Sequence, residues 1–214
     1  QQKLVATTRQ TTTTTSARAT SNSSNYQMMS VVDKADVIAV GPGLGDDVWA
    51  QELFKTALQS NKPLVVDADA LNLLSQDYLA RGNWVLTPHP GEAARLSGVA
   101  TPAVQESRCN TAKSLAEHYN AVVVLTGAGT IIAGAGNQYW LCDKGNPGMA
   151  SGGMGDCLTG ITAALIAQGL ELGDAAACAS YLHGLAGDRA AKLHGERGML
   201  ASDILEPLRK LINP

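Results

Sequence analysis

The chain has 214 residues, 45% of them hydrophobic, and a formal net charge of −3. That length fits one domain with a substantial core. The charge gives no footing for nucleic acid, and no apolar run approaches the roughly 20 residues that span a bilayer. Cys109, Cys142, Cys157 and Cys178 are far apart, without CxxC spacing or paired histidines. This excludes a disulfide framework and a structural zinc site and points to a reduced, cytoplasmic compartment. No basic-then-apolar start reads as a signal peptide.

Residues 1–30 form a zone of their own. Leu4-Val5-Ala6 has the composition of a strand without supporting context, and residues 11–25 are almost entirely Thr, Ser, Asn, Ala and Arg. Such a stretch has no burial period to offset its ordering entropy. It is expected to be a disordered, low-complexity or incomplete segment that makes few core contacts and is open to proteases.

From residue 31 to 214 short apolar runs alternate with helical patterns. Val37 to Val40 reads as a buried strand ending at Gly41, and Asp47 to Leu58 as a helix with Trp49, Leu53, Ala57 and Leu58 on one face. Pro63 to Val66 and Trp84 to Leu86 are the next strands. Thr101 and Pro102 open a helix, Thr as cap and Pro at the first helical position, with Val104, Ala112, Leu115, Ala116 and Tyr119 turned inward. Ala121 to Leu125 is strand, Thr130 to Ala133 and Gln138 to Cys142 a following pair, and residues 157–169, 174–193 and 202–212 are helical. The alternation predicts an α/β fold with a mainly parallel central sheet covered by helices on both faces.

Ligands of such sheets sit beyond the carboxyl ends of the strands, where the unusual residues of this chain fall. Gly41-Pro42-Gly43-Leu44-Gly45 is either a structural turn or a close approach to an anion. Asp67-Ala68-Asp69-Ala70-Leu71-Asn72 places two carboxylates after a strand, to hold Mg²⁺ through water or a polar substrate group, or, for Asp69, to cap a helix. His89 stands between Pro88 and Pro90, aimed at a ligand or structural, and Glu92 falls in a first helical turn, where the dipole alone explains it. Thr126-Gly127-Ala128-Gly129-Thr130 would put small residues near a nucleotide, yet is neither the dinucleotide fingerprint nor a P-loop.

The densest signal is Asn146 to Asp156, NPGMASGGMGD. Convergent backbone N–H groups at Gly152, Gly153 and Gly155, ahead of a helix from about Asp156, would make an anion hole. Asp156 beside it is either a general base or a helix cap.

In this order, GPGLG, VVDADALN, LTPHPGE, GAGT and NPGMASGGMGD resemble the ADP/ATP-dependent NAD(P)H-hydrate dehydratase family, a branch of the ribokinase-like superfamily. The match runs from about Ala35 to the end and includes His183-Gly184 and residues 197–201. The resemblance implies a ribokinase-like fold and ADP-dependent dehydration of the S epimer of hydrated NADH or NADPH, with AMP and phosphate released. It implies Mg²⁺ as cofactor, ADP or ATP as co-substrate, and a homo-oligomer, a tetramer, with no nucleic-acid or membrane partner. By motif, Gly43, His89 and Asp156 would contact the hydrated nicotinamide nucleotide, with Asp156 catalytic. Thr126, Gly127, Ala128, Gly129, Thr130 and Gly155 would hold the adenine nucleotide.

Two departures stand out: Thr126 occupies a position where the family usually has Lys, and the family carries a longer region ahead of the GPGLG strand, part of which is expected to be lacking here. A ribokinase-like small-molecule kinase and a nucleotide-binding subunit without turnover are the competing readings.

Overall fold

The computed structural model describes residues 4–7, 12–15, 31–134, 136 and 138–213. Strands β1 (Leu4–Thr7), β2 (Thr12–Thr15), β3 (Val37–Val40), β4 (Leu64–Val66), β5 (Trp84–Leu86), β6 (Val122–Leu125), β7 (Thr130–Gly134) and β8 (Gln138–Cys142) form one sheet, ordered β2-β1-β3-β4-β5-β6-β7-β8. The central strands β3 to β6 are parallel, as the alternation with helices requires, and antiparallel pairs flank them on both sides. The helices are α1 (Val48–Gln59), α2 (Ala68–Gln76), α3 (Pro90–Ser97), α4 (Thr101–Glu106), α5 (Arg108–Tyr119), α6 (Met154–Ala167), α7 (Leu172–His194) and α8 (Leu205–Ile212), with short 3₁₀ turns at Pro147–Met149 and Ala201–Ile204.

Strand side chains alternate between faces, and the core divides accordingly. Ile38, Val40, Leu64, Val66, Trp84, Leu86, Val123 and Leu125 pack with residues of α1 to α5. Val37, Ala39, Val65, Val85, Val122 and Val124 pack with residues of α6 and α7 on the other face. Both faces are covered, so the short strands read as unbroken apolar runs. None of the described helices is long and apolar enough to cross a membrane.

Three expectations need correction. Thr12–Thr15 is a strand paired with β1, although its run has no burial period; threonine is β-branched and suits a strand by local conformation. The remainder of 11–25 lies outside the described residues. The helix expected from Thr101 is two helices meeting at Ser107, and Ala100 rather than Thr101 is its N-cap. The helix expected from about Asp156 begins at Met154, after an N-cap glycine at Gly153.

Candidate active site

Because β3 to β6 are parallel, Gly41, Asp67, Thr87 and Thr126 all follow strands at one edge of the sheet. The pairing Thr130↔Cys142 brings residues 143–149 back to that edge. A cavity of about 960 Å³ opens there, walled by Asp67, His89, Glu92, residues 126–130 and 143–151, the start of α6, and Ser180 and His183 of α7. A volume of this size holds a small-molecule ligand.

The GPGLG and DADALN segments support each other. A Cβ on Gly41 would lie 1.7 Å from the Asp67 carbonyl oxygen, so only glycine fits. Gly45 N–H donates to Asp69 Oδ2 at 2.8 Å. Asp69 thus ties the two loops together; neither it nor Gly43, which sits exposed on its turn at φ +63, is on the cavity wall. The wall takes Asp67 instead. It is buried, and its Oδ2 accepts the Thr159 hydroxyl at 2.8 Å. Burial pushes the Asp67 carboxyl up; hydrogen bonds from Thr159, Thr87 and the Ala68 backbone oppose this, and the nearby Asp156 charge adds to it. Ala68, on the wall, adopts φ +45, a strained left-handed conformation for a residue with a Cβ.

His89 both caps and lines. As N-cap of α3 its Nδ1 accepts N–H bonds from Gly91 at 2.9 Å and Glu92 at 3.4 Å, while Glu92 Oε2 accepts the His89 N–H at 2.9 Å. The reciprocal pair is a capping box. With Nδ1 an acceptor, the hydrogen of the neutral ring is assigned to Nε2. The side chain stays 57% exposed on the cavity wall, fixed in orientation and able to donate. Glu92 is buried, which pushes its carboxyl up, against the His89 N–H and ring and beside Asp67.

The 126–130 loop rests on a residue that no motif marks. Arg108, at the start of α5, donates through Nη2 to the carbonyls of Leu125 (3.1 Å), Thr126 (3.3 Å) and Gly129 (3.1 Å). A guanidinium that gathers carbonyls on one side of a loop leaves the opposite side to its N–H groups. Glycine is favoured at 127 by its φ of +132, and a Cβ there would also crowd Arg108 Nη1 at 3.2 Å. The Thr126 hydroxyl faces the Pro88 carbonyl oxygen at 3.4 Å, so it is aimed at the β5 loop as well as bordering the cavity.

The glycine-rich segment is held from α7. Asp188 accepts Gly145 N–H and Asn146 Nδ2, both at 3.0 Å, and Asn146 Oδ1 accepts Gly148 N–H at 3.1 Å. Helix α6 then begins without a side-chain cap. Among the described residues, the Gly155 and Asp156 N–H groups have no acceptor. They are orphan donors at the positive end of a helix, facing the cavity. Gly152 and Gly153 lie off the wall: Gly153 makes the turn at φ +87 against Ala201, and Gly152 is exposed. The Asp156 carboxylate lines the cavity and does not cap the helix. Nearby, Ser151 Oγ and His183 Nε2 are buried without a partner, and burial lowers the His183 pKa to about 4.

Among the described residues, no cluster of three or more His, Cys, Asp or Glu is placed to hold a metal. Two carboxylates near a phosphate site suit Mg²⁺, which is commonly bound by one or two carboxylates together with phosphate and water. Asp67 and Asp156 fit that pattern; Asp69 does not.

A parallel sheet with this cavity and an uncapped glycine-rich helix start defines a ribokinase-like α/β protein, and a ribokinase-like superfamily protein of Enterococcus faecalis superposes with a TM-score of 0.80 at 33% identity, covering 89% of this chain and 67% of that one. The NAD(P)H-hydrate dehydratase family model matches residues 3–210, and the chain belongs to that family. It is 48% identical over 180 residues to the bifunctional NAD(P)H-hydrate repair enzyme Nnr of Coxiella burnetii, covering 84% of this chain and 37% of that protein. It is 40% identical over 195 residues to the ADP-dependent (S)-NAD(P)H-hydrate dehydratase of Neisseria meningitidis, covering 86% and 66%. The ADP/ATP-dependent NAD(P)H-hydrate dehydratase of Bacillus subtilis, co-crystallised with ATP/Mg²⁺ and soaked with CoA, superposes with a TM-score of 0.75 at 31% identity, covering 84% and 66%. The chain thus spans little more than a third of the bifunctional relative.

Proposed function

We propose that residues 31–214 carry a catalytic domain that converts the S epimer of hydrated NADH or NADPH back to NADH or NADPH, consuming ADP and releasing AMP and phosphate. The observation that carries this reading is the juxtaposition at the start of α6: a carboxylate free of capping duty, Asp156, next to the unpartnered N–H groups of residues 155 and 156.

Asp156 takes the proton of the ring hydroxyl, whose oxygen attacks the terminal phosphorus of ADP; the bond to the AMP oxygen breaks. The Gly155 and Asp156 N–H groups receive the negative charge of the transferring phosphoryl. Phosphate then leaves with the C–O electron pair as the neighbouring ring carbon gives up a proton, and the double bond re-forms. His89 Nε2–H would orient the substrate, and within residues 126–130 the backbone N–H groups of Gly127, Ala128 and Gly129 would hold the nucleotide, the Thr126 N–H being taken by the Pro88 carbonyl at 3.0 Å. Asp67, beside Asp156 on the cavity wall, would help to hold Mg²⁺, and the ion would supply charge neutralisation for the diphosphate.

The test is product analysis with hydrated NADPH, Mg²⁺ and ADP or ATP in turn. Restored absorbance of the reduced nicotinamide with equal AMP and phosphate from ADP supports the reading. A stable phosphorylated product, or nucleotide binding without turnover, overturns it.

A further inference from the structure

Among the described residues, Lys144 is the only lysine or arginine on the cavity wall, against the carboxylates of Asp67, Glu92, Asp143 and Asp156. We infer that Lys144 is a phosphate-binding residue of this cavity and supplies, from the β8 side, the point charge that Thr126 does not. The inference rests on the reading of the cavity as a site for a nucleoside diphosphate.

The sheet register places the residue. Thr130 pairs with Cys142, so Lys144, two positions further on, borders the same edge as the 126–130 loop. In strand order the wall runs from His89 after β5, through residues 126–130 between β6 and β7, to Lys144 after β8. A substrate at the His89 end therefore leaves the Lys144 end to the nucleotide.

The root of Lys144 is fixed and its head is not. A Cβ on Gly184 would lie 2.7 Å from the Lys144 carbonyl carbon, so a glycine on α7 lets the backbone dock closely. On its other side Gly145 N–H is held by Asp188. Among the described residues the ammonium pairs with Asp143 Oδ1 at 3.0 Å, and that carboxylate is 74% exposed; the Tyr181 ring lies 6.0 Å away, and the Asp188 charge acts from further off. A solvated ion pair of this kind is among the weakest contacts in a protein, and a phosphate in a cavity is a stronger partner for a compact, strongly charged head. Asp143 is then a resting counter-ion that the nucleotide displaces.

The experiment is calorimetric titration of wild type, Lys144→Met and Lys144→Arg with ADP, adenosine and NADPH. Lys144→Met should weaken ADP binding about tenfold, the loss of one charge-assisted hydrogen bond. Adenosine and NADPH should bind as to wild type, and Lys144→Arg should keep most of the ADP affinity. Equal loss of ADP and adenosine, unchanged ADP affinity, or a loss confined to NADPH, whose pyrophosphate is the other phosphate source, would each overturn the inference while leaving the functional reading intact. A wild type that binds no ADP would overturn both.

Discussion

The Thr159 hydroxyl donates to Asp67 Oδ2 at 2.8 Å across 92 positions of sequence. This bond joins the end of β4 to α6 just beyond Asp156, so the strand edge and the uncapped helix start are fixed to each other. It also supports a buried carboxylate whose charge is costly.

The Asp67 carboxyl is raised above its ordinary value, chiefly by burial. The folded state therefore favours its protonated form: its contribution is present below the unfolded value of 3.8 and is lost as pH rises through the raised folded value. Asp67→Asn keeps an acceptor for Thr159 and removes that loss. The variant should melt a few degrees above wild type at pH 8, with the gap shrinking towards pH 3. Thermal melts at the two pH values check this, and an Asn variant that melts lower at pH 8 contradicts it.

His183 works in the opposite direction. Its pKa falls from 6.5 to about 4 on folding, by burial. A depressed value means stability that is present above 6.5 and lost as pH falls through about 4, amounting to about 3 kcal/mol in full. His183→Phe removes the titrating ring and the unpartnered Nε2. Its unfolding free energy should fall less than that of wild type between pH 7 and pH 4.5, as measured by denaturant titration; parallel falls would contradict the assignment.

Arg108 holds three carbonyls in the 125–129 segment. Arg108→Met should cost stability by roughly 2 kcal/mol, in line with lost hydrogen bonds to a charged group. It should also weaken ADP at least tenfold by letting the loop N–H groups turn. All three acceptors surround one nitrogen, Nη2, so a lysine ammonium brought to that point can meet them, and Arg108→Lys should rescue part of the binding. Normal ADP affinity in the Met variant would confine Arg108 to a stability role.

Thr126→Lys sacrifices a long hydroxyl contact to the Pro88 carbonyl and adds a cation at the cavity. It should tighten ADP binding by roughly 1–2 kcal/mol, a charge-assisted bond replacing a neutral one. Titration with and without Mg²⁺ checks this; no gain under either condition would show that a cation at position 126 adds nothing to the charge that Lys144 supplies, and would contradict the prediction.

Much of this architecture is legible in the sequence because burial leaves periodic marks. The runs at 37–40, 64–66, 84–86 and 122–125 are apolar throughout because both faces of the sheet are covered, and Val104 to Tyr119 follow a helical face although the helix breaks at Ser107. Asp156 and Gly155 stand out through glycine density. Contacts between distant residues leave no local mark: Asp188 reaches Asn146 across 42 positions, and Asp69 turned out to pin Gly45 rather than face the cavity. Arg108 left no such mark either: its place in the first turn of α5, where a cation opposes the dipole, follows only from the helix break at Ser107.

In the proposed mechanism Asp156 removes the proton from the attacking hydroxyl. Asp156→Asn keeps the shape of the helix start and removes the base, so single-turnover kinetics with hydrated NADPH, ADP and Mg²⁺ test it most directly. The rate should fall by about 10²–10⁴, the usual share of a positioned base, with ADP affinity retained. A rate within a few-fold of wild type would contradict it.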